Sequence, residues 1–281
     1  MIDEVTLGND VNEDSWGASG SIAWILDGSS SVSPERVAPL WATDARWLVD
    51  RLEASLRSLA DRHDMSLRNV LATAISSAAT SAEEDWDHQP EVPPSAAIAL
   101  VRKLEYGLEY LVLADVSVIL DDRGSLVEIT DQRVDEGNVV AFEALKNGLA
   151  INPSLAEVRR NIAPLLHDYR RKSMNREGGY FVVSIDPTVV DEGVDGMSTT
   201  ADEIILATDG FMRCMRPFHF LAGLHDLLDH PGALPDIAMR VREEELRDPE
   251  AVEYPRWNTS DDLCAVRLRW TGQNPESSVT P

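Results

Sequence analysis

The sequence predicts an α+β chain built in layers, on three observations. Segments with apolar residues at helical spacing come in two successive pairs, on either side of residues 96–130. That middle stretch breaks into four short strand-like runs in immediate succession, which reads as an antiparallel meander. Three further runs, at 22–26, 203–207 and 263–270, are apolar enough for strands buried on both faces. Helix pairs interleaved with antiparallel strands make one layered domain, spanning 1–270.

Each element follows from its own pattern. Residues 1–20 are polar and place Asn12-Glu13-Asp14 just before the first apolar strand. That strand ends abruptly in Asp27-Gly28-Ser29-Ser30. From Ser33 the period becomes helical: Ser33 caps, Pro34 suits the first turn, and Leu40, Trp41, Leu48, Leu52, Leu56 and Leu59 recur on one face. A second helix over 66–82 buries Leu67, Val70, Leu71, Ala74, Ile75 and Ala78. After an acidic, proline-bearing loop at 83–95, strands are expected at 96–100, 110–114, 116–120 and 126–130. Asp121-Asp122-Arg123-Gly124 supplies hairpin chemistry between two of them. Helices follow at 136–149 and 154–174, the second carrying the basic run 167–172. Gly178-Gly179 leads into a strand at 180–185, and the acidic, aperiodic residues 187–202 read as a surface loop or flap. Beyond the strand at 203–207, helices are expected at 217–229 and 235–247, then the last strand and a disordered tail over 271–281.

Charge narrows the function classes. The chain has 281 residues with 49 acidic against 25 basic, a net charge of −24. Such a surface repels phosphate backbones and anionic membranes, so neither nucleic acid nor membrane is an expected partner. The two cysteines, Cys214 and Cys264, have no metal-binding or redox-pair spacing, and Cys264 lies in an apolar strand, as a buried thiol would. Met1-Ile2-Asp3-Glu4 lacks a basic segment followed by an apolar one, and no apolar run reaches membrane-spanning length. A cytoplasmic protein without a signal peptide is expected.

The chemistry concentrates at strand ends. Asp27 and Asp209 each terminate an apolar strand in Asp-Gly, and Asp261 opens another. Taken singly, Asp-Gly is an ordinary turn pair. Carboxylates gathered at the rim of a buried sheet, however, repel one another unless a cation joins them. Oxygen-only ligands select hard ions, Mn²⁺ or Mg²⁺, and no histidine cluster competes, since His63, His88, His167, His219, His225 and His230 are scattered.

The succession Asn12-Glu13-Asp14, Leu26-Asp27-Gly28, Leu113-Ala114-Asp115, Ala207-Thr208-Asp209-Gly210-Phe211 and Ser260-Asp261-Asp262 resembles the metal-dependent protein phosphatase family of the PP2C type. The resemblance spans residues 5–270. It implies a PP2C-like sandwich of two antiparallel β-sheets flanked by antiparallel helix pairs. It implies Asp27 as the carboxylate bridging two metals, the Gly28 carbonyl as a further ligand, Asp209 and Asp261 as ligands of the first metal, and Glu13 and Asp14 as holders of metal-bound water. Asp115 either shares a third ion with Asp209 or is a polar break between strands. Two divalent ions roughly 3.5–4 Å apart would activate water for in-line attack on phosphorus, with no protein nucleophile. The implied partner is a phosphorylated protein, and the flap at 187–202 bears on substrate choice.

Three positions depart from the family pattern. Asn9 stands where the family places an arginine that grips phosphate, and guanidinium geometry is hard to replace. Ser29-Ser30 replaces a glycine-bearing loop, and Ala114-Asp115-Val116 replaces Gly-Asp-Ser. Arg213 and Arg216, close after Asp209, are the candidates to hold substrate phosphate instead. The expected function is a metal-dependent phosphoserine/phosphothreonine phosphatase using Asp27, Asp209 and Asp261. The alternatives are a pseudophosphatase that binds without turnover, or a hydrolase of small phosphoesters.

Overall fold

A computed structural model describes residues 2–29, 36–122, 125–201, 203–228 and 233–269. Its strands are β1 (Ile2–Leu7), β2 (Asp14–Ser19), β3 (Ile22–Ser29), β4 (Ser95–Lys103), β5 (Leu108–Leu113), β6 (Ser117–Asp122), β7 (Ser125–Ile129), β8 (Val194–Ser198), β9 (Glu203–Ala207) and β10 (Leu263–Arg269). They form two five-stranded sheets, ordered β1-β10-β9-β6-β7 and β2-β3-β4-β5-β8. Every strand pair within them is antiparallel.

Strand periodicity explains why the sheets stack. Along β3, Ala23 and Ile25 face one way and meet Val118, Leu206, Cys264 and Val266 of the opposite sheet. Trp24 and Leu26 face the other way, onto α1 (Asp44–Leu59) and α2 (Leu67–Asp85), among Trp47, Leu48, Leu52, Leu71 and Ile75. The run at 22–26 is thus buried on both faces because helices cover one side and a sheet the other. The outer face of the β1-β10-β9-β6-β7 sheet, with Ile119, Ile205, Leu263 and Ala265, is covered by α7 (Leu234–Arg247) through Leu234, Ala238 and Val241. The remaining long pair, α3 (Arg133–Ile151) and α4 (Leu155–Ser173), buries Leu145, Leu149, Leu155 and Val158 with Ala251, and Trp257 packs against this cluster. Cys214 and Cys264 are buried free thiols. No helix among the described residues is long and apolar enough to cross a membrane.

Several local expectations change. The polar first twenty residues hold two strands, β1 and β2, and the expected flap at 187–202 holds a 3₁₀ turn (Pro187–Glu192) and β8. The run at 180–185 makes only isolated bridges, Ala96 with Val183 and Met174 with Tyr180, although Tyr180, Val182 and Val183 are buried. Burial there comes from packing against the sheets rather than from a ladder. α1 begins at Asp44, capped by the Thr43 side chain on the Arg46 amide at 3.0 Å, a contact that stabilises a helix by about 1 kcal/mol. Leu40 precedes it and is exposed, and the Ser33-Pro34 cap lies outside the described residues. The helix expected at 217–229 reduces among the described residues to one turn, α6 (His225–Leu228), and a separate short helix, α5 (Asp209–Met212), follows β9. Arg123-Gly124 of the hairpin and the tail at 271–281 also lie outside the described residues.

Candidate metal centre

The antiparallel register sets the first two acids side by side. Asp14 opens β2 directly opposite Asp27 on β3. Arg46 of α1 donates to the carbonyls of Asn12 and Asp14, both at 3.3 Å, fixing the entry into β2. Gly28 follows Asp27 because its backbone closes on the preceding loop: its amide donates to the Glu13 carbonyl at 3.2 Å, and a β-carbon there would lie 2.8 Å from that same oxygen.

The other sheet supplies the opposite wall. Thr208, between β9 and Asp209, takes the Cys264 amide on its hydroxyl at 3.0 Å and donates that hydroxyl to Asp14 Oδ2 at 2.8 Å. Gly210 lies flush on the strand opening at Asp261-Asp262, where a β-carbon would sit 1.9 Å from the Asp262 carbonyl. Only glycine permits that approach, and it brings Asp209 beside Asp261. Asp262 points the other way and accepts the amides of Asn9 at 2.8 Å and Glu13 at 2.6 Å. Adjacent aspartates thus have separate tasks, one facing the acidic cluster and one clasping the β1–β2 loop.

Electrostatics bind the acids into one unit. Burial, then Asp14, Asp209, Asp115 and Asp261, hold the Asp27 carboxyl well above the usual carboxylate range. Asp14 is raised by burial and by Asp209, Asp261 and Asp262, against the Thr208 hydrogen bond. Asp209 is pushed up to about 8 by burial, Asp261 and Asp115, while Arg213 and a side-chain hydrogen bond with Asp27 pull it down. Asp261 is raised by burial, with Arg213 and Asn258 opposing. Glu13 is buried, and Asp115 sits in the turn after Ala114, whose φ of 66° is a left-handed conformation held by a non-glycine residue.

The donor set fits a hard cation in kind: oxygen only, buried, and mutually repulsive without compensating positive charge. As the side chains stand, each is engaged by a neighbour: Asp27 with Asp209, Asp14 with Thr208, Asp261 with Arg213. Among the described residues no three acidic, histidine or cysteine side chains surround a single ion position in this arrangement.

Arg213 and Arg216 both line the cavity that opens over Asp209 and Asp261, and each is already engaged by a carboxylate. Asn9 places no guanidinium at the site; its side chain reaches the Ser260 carbonyl at 3.3 Å. Arg213 is buried and bonded to Glu245 at 2.5 Å and Asp261 at 2.6 Å, so both arms of its fork are occupied. Arg216 is exposed and paired with Glu128 at 3.0 Å. Sequence reasoning passes over Arg159 of α4, exposed and within electrostatic reach of Asp261, and takes Arg170 only as part of the basic run 167–172, although its charge acts on Asp115. Helical spacing alone carries no signal for Arg159. A cavity of about 600 Å³ opens over Asp115, Asp209 and Asp261, walled by Phe142 and Trp257.

No family model matches the sequence, and no curated protein matches it. Solved structures do. The serine/threonine phosphatase PstP/Ppp of Mycobacterium tuberculosis aligns over 95% of this chain and 97% of its own, with TM-score 0.55 and 16% identity. Stp1 from Staphylococcus aureus aligns over 96% and 95%, with TM-score 0.56 and 13% identity. The catalytic domain of PstP in complex with two manganese ions aligns over 95% and 96%, with TM-score 0.53 and 14% identity. The fold is that of the bacterial PP2C-type serine/threonine phosphatases, a sandwich of two antiparallel sheets with flanking helices.

Proposed function

We propose that this chain is a metal-dependent phosphoserine/phosphothreonine protein phosphatase. One observation carries the reading: Asp14, Asp27, Asp209 and Asp261, remote in sequence, form one electrostatically coupled carboxylate cluster, and Asp209 and Asp261 line a substrate-sized cavity. The manganese complex of a protein with the same fold supports divalent ions as the compensating charge. Asp27, Asp209 and Asp261 would hold Mn²⁺ or Mg²⁺, with the Gly28 carbonyl, Asp14 and Glu13 behind them and Asp115 at the rim beside Asp209. Bound there, two such ions would supply Lewis acidity and a nucleophile from water at neutral pH. The chain's own contribution is to fix the ligands through Thr208, Gly210 and Asp262. Asp27 and Asp209, joined by a side-chain hydrogen bond, would have to lose the proton of that bond to hold such an ion. Arg213 and Arg216 line the cavity with Asp209 and Asp261 and remain the guanidinium candidates to meet a phosphoryl group, each having first to leave a carboxylate partner.

Release of phosphate from a phosphothreonine peptide, with and without Mn²⁺, tests the reading. Metal-dependent release that Asp27→Asn abolishes is expected; no release at any metal concentration overturns it. A binding module without turnover is the second reading, favoured by Asn9 and by the Arg213–Asp261 ion pair. Stoichiometric metal binding without phosphate release would establish it.

A further inference from the structure

Arg213 holds an unusual place. It follows Asp209 by four residues, is 6% exposed, and its guanidinium bridges two carboxylates, Glu245 at 2.5 Å and Asp261 at 2.6 Å. Glu245 is 1% exposed and is itself fixed from the far side by Arg242 at 2.7 Å, which also donates to the Leu7 carbonyl at 2.7 Å. The fork is therefore anchored on α7 and aimed at the acidic cluster, where Asp261, Glu245 and Asp209 all act on its charge. Such an arginine is a fixed monocation in a place where the surrounding acids call for positive charge.

We propose that Arg213 is a positioning residue that competes with a divalent ion for Asp261. Resting on the metal-dependent reading above, the proposal adds an order of loading. Among the described residues no basic side chain is paired with Asp27 or Asp14, so an ion ligated through Asp27 would displace none, whereas one drawing on Asp261 must first displace the guanidinium. Loading at Asp261 is then the weaker step, and Glu245 sets how weak by holding Arg213 in place. The released guanidinium stays paired with Glu245, so displacement leaves no buried charge without a partner.

Calorimetric titration of Mn²⁺ into the wild-type chain, Arg213→Met and Arg213→Lys tests this. The weakest Mn²⁺ site should tighten by about tenfold or more in Arg213→Met, the scale of a lost charge-assisted hydrogen bond. Arg213→Lys should fall between. Equal affinities in all three overturn the proposal while leaving metal binding intact; no binding by any of them overturns both the proposal and the metal-dependent reading. Should Arg213→Met fail to fold, ¹⁵N spectra of the wild-type guanidinium decide the matter. Saturating Mg²⁺ should shift the Arg213 resonances and speed their proton exchange, and unchanged resonances at saturation overturn the proposal.

Discussion

The hydroxyl of Thr208 donates a 2.8 Å hydrogen bond to Asp14 Oδ2, across the gap between the two sheets. Thr208 belongs to the β9–β10 side and Asp14 to β2, so one side chain ties the two halves of the acidic cluster together. The same hydroxyl accepts the Cys264 amide at 3.0 Å, so both its donor and acceptor capacities are used.

Thr208→Val preserves shape and removes both bonds. Asp14 loses a donor in a buried site and the Cys264 amide loses its acceptor, which costs about 1–3 kcal/mol. Urea unfolding should show a lower midpoint with an unchanged slope. A midpoint equal to wild type would mean that the hydroxyl does not link the sheets.

Gly210→Ala should be at least as damaging. The added carbon meets the Asp262 carbonyl at 1.9 Å, so the turn after Asp209 must lift away from the opening of β10. Overpacking of this kind costs about 1–3 kcal/mol. Displacement of Asp209 from Asp261 should weaken Mn²⁺ binding alongside the melting temperature, read by calorimetry on the folded fraction.

How much of this the sequence carried depends on where each strand lies. β3, β4, β9 and β10 are interior strands, and their near-continuous apolar runs announce them. β1, β2 and β8 lie at sheet edges, where polar residues such as Glu4, Thr6, Asp14 and Asp195 interrupt the pattern, and these are the strands that periodicity misses. The run at 180–185 errs in the opposite sense, since its apolar residues serve burial without a ladder. Strand-end aspartates were legible only in combination, because three apolar strands each carry one at an end, Asp27, Asp209 and Asp261. Thr208 and Glu245 were not: nothing in Glu243-Glu244-Glu245 distinguishes the one turned inward, and only packing of α7 does so.

Stability of the protein in EDTA should fall as pH rises. Asp209, pushed to about 8 from an ordinary 3.8, keeps a proton in the folded chain that the unfolded chain has released. Its contribution is complete below about pH 4 and is lost as pH climbs through about 8. Asp14, Asp27 and Asp261 are displaced in the same direction. The carboxylates lowered by ion pairs or hydrogen bonds, Asp64, Asp168 and Asp248, exert their opposite effect only below about pH 4. The melting temperature should therefore decline from about pH 5 to about pH 8. Saturating Mg²⁺ should recover it at the upper end. A flat profile in EDTA would contradict the coupled cluster.

Asp261→Asn and Asp262→Asn should separate ligand from scaffold. Asp261 faces Arg213 and Asp209, so replacing it removes one negative charge from the cluster and one partner from the guanidinium. Repulsion on Asp209 falls, and with it the demand for a divalent ion, so Mn²⁺ affinity should drop by about tenfold or more while the melting temperature changes little. Asp262 instead gives one oxygen each to the Asn9 and Glu13 amides. An asparagine offers one acceptor oxygen and turns its amide group toward a second donor, leaving an amide unpaired at a cost of about 1–3 kcal/mol. That variant should lose stability first and metal affinity only through the loosened β1–β2 loop that carries Asp14. Calorimetry and unfolding on both proteins check the pair together. Equal losses of metal affinity at unchanged stability would mean that both aspartates reach the ion, contrary to the opposed directions in which the backbone at 261–262 sends them.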